Sequence, residues 1–277
     1  MNLDVVKSAA KRAKAAEVPD RAAALAYYGF LAVPSVLLLV LGALGIFSSP
    51  DQIGRILDKG KDVMPPEAIT LLKDSVGRQA GNAGGGVLLV LVGLVLAMWS
   101  GSGAMNAMMR AMNGVYGVKE TRDFVKQRVT AVAMLAWALL AVVLVVGLLI
   151  LGPVLSRWLG DAVGNRGVTS ALWWTLQWPL LVIGVMASFA GMLLLGPNRP
   201  NSRWRLRSRG ALIATVLWII VSAAFALYAS RLGSFNAAWG SLSVVVVTLM
   251  WLWLSSMVLL FGAALDAEEE GAPPPTP

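Results

Sequence analysis

The 277-residue chain has neither cysteine nor histidine. Their absence excludes disulfides, thiolate and imidazole metal sites, Ser-His-Asp triads and histidine general bases. Charge is scarce too. Asp, Glu, Lys and Arg make up 14% of the residues, against roughly 25% in soluble globular domains. In place of charge there is hydrocarbon: 57% of residues are hydrophobic and the mean hydropathy is +0.71. The acidic residues are scattered, mostly over one loop and the tail, and no positioned acid/base pair is evident. A nuclease is therefore not expected, nor any other enzyme, and no cofactor or metal is implied.

A helix needs about 20 mainly apolar residues to cross the ~30 Å hydrocarbon core. Six segments meet that length: 22–47, 85–108, 129–151, 171–195, 211–230 and 241–265. The fold class expected is an all-α integral membrane protein of about six transmembrane helices. The first span is too long for a cleaved signal peptide, and its leader contains acid.

If every span crosses, 15 of the 23 basic residues fall on one side. Five lie in the leader, five in the link 109–128 and five in the link 196–210. The last five are Arg199, Arg203, Arg205, Arg207 and Arg209, set around Trp204. Lys/Arg excess marks the cytoplasmic side, so both termini are expected there. In that setting the arginine strip reads as a surface anchor. Contacts to anionic headgroups by Arg122, Arg199, Arg203, Arg205, Arg207 and Arg209 are the more specific alternative. A nucleic-acid contact is not expected.

The chain thus divides into a leader (1–21), a six-helix domain (22–265) and an acidic, Pro-rich tail (266–277). In the leader, Lys7, Lys11 and Lys14 share a helix face. Such a helix either lies on an anionic leaflet or is simply solvated. The outer loop 48–84 opens with a capping box at Ser49–Gln52 and resumes after Pro65 and Pro66, which predicts two short amphipathic helices. The tail is expected to be disordered beyond Glu270.

No ionisable residue falls at the middle of a span, which disfavours a pump built on a buried carboxylate. Neutral polar groups gather at the end of the second span, in WSGSGAMNAMMRAMN. Trp99, Ser100, Ser102, Asn106, Arg110 and Asn113 there either line a polar cavity or pack between helices, with Tyr27, Tyr28 and Pro34 of the first span as partners. Pro34 removes a backbone hydrogen bond and kinks a helix, or acts as a hinge. Trp173, Trp174, Trp178 and Trp239 suit an interfacial belt. Trp251 and Trp253 fall deeper and call for a packing partner.

Several stretches together resemble the YihY/BrkB family of bacterial inner-membrane proteins, some long labelled ribonuclease BN. They are ALAYYGFLAVPSVLLL (24–39), MPPEA (64–68), MWSGSGAMNAMMRAMNGVYGVKETRDF (98–124), GPNR (196–199) followed by GALIATVLW (210–218), and the closing WGSLSVVVVTLMWLWLSSMVLLFGAALDAE (239–268). The closing stretch supplies Trp239, Gly240, Ser241, Gly262 and Asp266. It departs from the family's GAELNAE-like pattern, with Ala264 in place of Glu and Asp266 in place of Asn. Arg209 stands where many relatives have Pro.

The resemblance implies a six-helix protein of the cytoplasmic membrane with both termini inside. The family's links to virulence, serum resistance and envelope lipid or lipopolysaccharide handling imply a transport-like role. The expected function is a transporter-like protein for an amphipathic or lipid-like envelope molecule. The alternative is a non-transporting scaffold for envelope assembly. Expected partners are anionic membrane lipids, with envelope proteins or a second copy as further candidates.

Overall fold

A computed structural model of the chain describes residues 3–47, 83–199, 208–231 and 241–275. These form seven α-helices, with no strand among the described residues: α1 (Leu3–Ala15), α2 (Val18–Phe47), α3 (Ala83–Tyr116), α4 (Phe124–Val163), α5 (Arg166–Leu195), α6 (Arg209–Arg231) and α7 (Ser241–Glu269). Five carry a stretch long and apolar enough to cross a membrane: Leu91–Tyr116, Phe124–Val145, Gly167–Leu195, Arg209–Tyr228 and Val245–Glu269. The other expected span, 22–47, falls in α2, a 30-residue helix with Pro34 inside it. The two short helices expected at 48–84 lie outside the described residues, apart from Ala83 and Gly84, which open α3.

The helices overrun the spans. With 40 residues, α4 is about 60 Å long at ~1.5 Å per residue, twice the hydrocarbon thickness. Its first turn is capped by Asp123, whose side chain accepts from the Lys126 amide at 3.2 Å. A turn at Gly164 and Asn165 leads into α5, where Asn165 caps by accepting from Val168 N–H at 3.1 Å.

The chain forms two compact units, 28–104 and the remainder, 1–27 with 105–277. The smaller contains most of α2 and the first part of α3. In the larger, α4 packs on α5, α5 on α6, α6 on α7, and α7 on α1. Its core includes Ala22 and Leu25 from the start of α2, Met109, Met112 and Val115 from the end of α3, and Met134 near the start of α4. Leu193 near the end of α5, Ala211 at the start of α6 and Leu260, Ala263 and Ala264 near the end of α7 complete it. Starts of even-numbered helices and ends of odd-numbered ones therefore meet at one end, as an up-and-down bundle requires. Farther along, the side chains turn outward. Leu140, Val142 and Val143 of α4, Leu172, Leu176 and Ile183 of α5, and Ile219, Ile220 and Leu227 of α6 are exposed. Only 11–33% of each crossing stretch is buried by the chain itself, so most of this surface is left for acyl chains.

The leader does not stand alone: Ala9 and Ala16 are fully buried, Val5, Val6 and Ala13 join the same core, and Lys7, Lys11 and Lys14 face outward. Nor does order stop at Glu270. Glu270 N–H donates to Asp266 O, Ala272 N–H donates to Ala267 O, and Gly271 takes φ +64° to turn the chain back.

The deeper tryptophans find protein partners. Trp218 lies edge-on between Phe189 and Trp251, at 6.2 and 6.1 Å, and its indole donates to Ser255 Oγ at 3.0 Å. Trp253 donates to Pro19 O at 3.0 Å. Trp174 and Trp178 of α5 are exposed and pack edge to face.

Helices α6 and α7 cross glycine on glycine. A Cβ on Gly262 of α7 would lie 2.8 Å from Gly210 O and 2.9 Å from Ala214 Cβ of α6. Gly103, by contrast, has nothing within 4 Å of such a Cβ. Gly262→Ala is therefore expected to lower stability by about 1–3 kcal/mol through overpacking. Gly103→Ala should stay within about 0.5 kcal/mol of wild type. Thermal unfolding of the two variants in one detergent checks the contrast.

Candidate functional site

The end at which the helix termini meet is also where the buried charge is. Asp266 and Arg12 are its two buried charged groups among the described residues, at 7% and 8% exposure. Arg12 reaches there because α1 lays it with Ala9, Ala13 and Ala16 against α7. Its Nε donates to Glu268. Its Nη1 donates to Val115 O at 3.1 Å and Pro273 O at 2.7 Å, and its Nη2 to Ala272 O at 2.9 Å. A guanidinium leaves water only when its donors are met this way, because desolvating the charge costs several kcal/mol.

Three consecutive glutamates close α7, and each takes an arginine from a different segment. Glu268 holds Arg12 of α1, Glu269 holds Arg209 at the start of α6 at 2.9 Å, and Glu270 holds Arg199. The pairs differ in setting: the Arg12 side chain is 7% exposed and that of Arg209 72%. Arg199 also donates to Leu193 O at 2.8 Å and lies 4.6 Å above the ring of Tyr116, a cation–π distance. Tyr116 itself is buried.

Arg122 closes the end of α5. It donates to Leu195 O, Gly196 O and Pro197 O at 3.3, 3.3 and 2.9 Å, putting positive charge where helix carbonyls lack partners. Asn113 joins two loops. Its Nδ2 donates to Glu120 at 2.9 Å, and its Oδ1 accepts the Asn198 N–H at 2.7 Å. Asn198 in turn donates to Lys119 O and Thr121 Oγ1. Asp266 accepts the Gly210 N–H at 2.7 Å, capping α6 from a neighbouring helix.

The residues singled out from sequence separate into three groups. Asn113, Arg122, Arg199, Arg209, Gly262 and Asp266 belong to this end of the larger unit. Arg203, Arg205, Arg207, Trp239 and Gly240 lie outside the described residues, and Ser241 opens α7. The remainder are described each by itself. Ser100 and Ser102 donate to carbonyls of their own helix, Leu96 O and Trp99 O, as serines in helices often do. Trp99, Tyr27, Tyr28, Pro34 and Arg110 are exposed. Asn106 is half buried, and its Oδ1 has no hydrogen-bond partner among the described residues. Arg12, Tyr116, Glu120, Asn198 and the three glutamates were not anticipated. The run Glu268–Glu270 directly after an apolar helix, facing basic links, was the available signal.

Away from the charges, α4 and α5 leave an apolar notch of about 70 Å³ lined by Trp137, Leu140, Ala141, Leu144, Gly184, Ala187 and Ser188. Ser188 donates to Gly184 O at 2.8 Å, so its hydroxyl adds no free donor to the lining.

These features define a helical membrane protein with an ion-pair network, Arg12–Glu268, Arg199–Glu270 and Arg209–Glu269, at one end of its larger unit. The family model described as virulence factor BrkB matches residues 9–275, and the chain belongs to that family. It is 28% identical over 253 residues to the putative ribonuclease-like protein YfkH of Bacillus subtilis, covering 91% of this chain and 90% of that one. It is 26% identical over 262 residues to a UPF0761 membrane protein of Photobacterium profundum, covering 93% and 78%. No solved structure matches. Three of the stretches that carry the family resemblance, 98–124, 196–199 with 210–218, and 239–268, supply Asn113, Arg122, Arg199, Gly210 and Asp266 to the same end.

An amide oxygen accepts from an N–H as a carboxylate does. Asp266→Asn should therefore keep the Gly210 bond and most of the stability, whereas Asp266→Ala should lose about 1–3 kcal/mol by stranding a buried donor. Arg12→Ala is expected to cost about 3–5 kcal/mol, and Arg209→Ala no more than about 1 kcal/mol because its pair is solvated. Denaturant or thermal unfolding of the four variants ranks them directly.

Proposed function

We propose that the chain is a transporter-like protein for an amphipathic, lipid-like envelope molecule. The observation that carries this reading is the notch between α4 and α5. It is apolar and half open, and its rim residues Leu140 and Leu144 are exposed. It lies about 10 Å from the charged end along α5, counted from Leu195 back to Ser188 at ~1.5 Å per residue. An amphipath with its headgroup among the basic residues would place hydrocarbon at that depth. The sided distribution of Lys and Arg supports a cytoplasmic-membrane location, with the charged end and both termini inside.

A non-transporting scaffold is the second reading. It is favoured by the network that ties α1, α3, α5, α6 and α7 together. Ribonuclease chemistry is not proposed. The chain has no imidazole, and Glu268, Glu269 and Glu270 each face an arginine.

Purified protein in liposomes, with fluorescent anionic and zwitterionic lipids followed by a membrane-impermeant quencher, separates the readings. Transport predicts faster transbilayer movement than in empty liposomes. It also predicts a loss of roughly fivefold or more on filling the notch with Ala187→Phe, equivalent to about 1 kcal/mol. Movement no faster than in empty liposomes for any lipid leaves the scaffold.

A further inference from the structure

The basic residues at this end of the larger unit are used unequally. Arg12, Arg199 and Arg209 each meet a glutamate, and Arg122 meets the carbonyls that end α5. Lys7, Lys11 and Lys14 of α1 are exposed and make no ion pair among the described residues. At about 100° per residue they cluster on the side of α1 opposite Ala9, Arg12 and Ala16, which face the bundle. The nearest acids of the leader stand at either end of this stripe, Asp4 before it and Glu17 after it. Three positive charges therefore project together without a counterion from the bundle.

Two contacts fix where the stripe lies. Arg12 meets Glu268, and Pro19 O, just behind α1, accepts from Trp253. Glu268 and Trp253 stand about 22 Å apart along α7 at ~1.5 Å per residue, and both belong to its crossing stretch, Val245–Glu269. Helix α1 and the turn behind it thus run along the flank of α7 and not across its tip. A face turned away from the bundle there looks sideways, at the depth where acyl chains give way to headgroups.

We propose that the Lys7–Lys11–Lys14 face of α1 is a docking surface for the anionic headgroups of the leaflet in which α7 ends. The apolar side of α1 is taken by the bundle, so the contact is made by charge and not by inserting hydrocarbon, unlike that of a free amphipathic helix. Lysine binds phosphate as a point charge on a flexible stem, which suits headgroups that diffuse past. The surface is therefore selective for negative lipid and sensitive to salt. A soluble acidic partner matches the same charge but needs the stripe turned to water. The proposal does not depend on transport, since a scaffold would rest against the same leaflet, and its test reads lipid contact instead of lipid movement.

The chain has no cysteine, so Ala10→Cys, at an exposed position beside the stripe, carries a single fluorophore on the full chain. Liposomes then receive phosphatidylglycerol or phosphatidylcholine bearing the same nitroxide just below the headgroup. Both should quench the label, the anionic lipid about threefold more at equal content. Lys7→Gln with Lys11→Gln and Lys14→Gln should bring the ratio close to one, and Arg at the three positions should keep it. Salt at about 1 M, where the screening length is about 3 Å, should also remove the preference. Thermal unfolding of the glutamine variant in neutral detergent should match wild type, because these lysines hold no partner in the bundle. Three results overturn the proposal. Quenching by neither lipid turns the stripe to water and toward a soluble acidic partner. Equal quenching by both removes the selectivity. An anionic preference that the glutamine substitutions leave unchanged has its source elsewhere.

Discussion

A guanidinium buried at 8% exposure must have its donors met, and at Arg12 that requirement organises one end of the bundle. Its acceptors come from α7, from the segment after α7 and from the end of α3. None is in place unless those elements have converged. Desolvation makes the arrangement close to all-or-none, because a partly satisfied buried cation is worse than none. The small residues around it, Ala9, Ala16, Ala263, Ala264 and Ala267, let the backbones come close enough for carbonyls to be reached. The weaker pairs at Glu269 and Glu270 then follow from geometry, since their positions are set by the neighbouring Glu268.

Away from that end the requirement changes. Beyond the first few turns the helices meet mainly through aliphatic and aromatic side chains, and much of their surface is unburied. In lipid there is little hydrophobic gain from bringing apolar helices together, so packing detail and polar contacts decide association. The Gly210–Gly262 crossing and the Phe189–Trp218–Trp251 ladder are such details. Specificity thus comes from a few close or polar points, and the broad apolar surface supplies solubility in the bilayer.

What could be read from the sequence divides along the same line. Apolar helices were legible because hydrocarbon thickness imposes a length that any 20-residue window reports. Asn113, Arg122 and Asp266 were legible as polar residues at span ends, without their partners. The function of Arg12 was not, because it depends on Glu268, which is 256 residues away, and no local periodicity carries that information. Composition also misled at the tail. Glycine and prolines after Glu270 have the profile of a disordered segment, yet Ala272 O and Pro273 O are held by Arg12 and Ala272 N–H donates to Ala267 O. In the leader the shared lysine face was legible and those lysines are exposed, whereas the packing of its alanines and Arg12 against the far end of the chain was not.

The separation between Arg12 and Glu268 also has a consequence in time. Ribosomes add about 5–20 residues per second, so roughly 10–50 s pass between the synthesis of the two residues. Throughout that interval the guanidinium of Arg12 lacks its carboxylate partner, although Val115 O is made before it. Unpaired positive charge is the form in which Lys and Arg direct the orientation of membrane helices. Only when the last helix emerges can its glutamates take over those arginines. The late arrival of Glu268, Glu269 and Glu270 thus leaves Arg12, Arg199 and Arg209 as free charges while the earlier helices are made, and turns them into structure at the end.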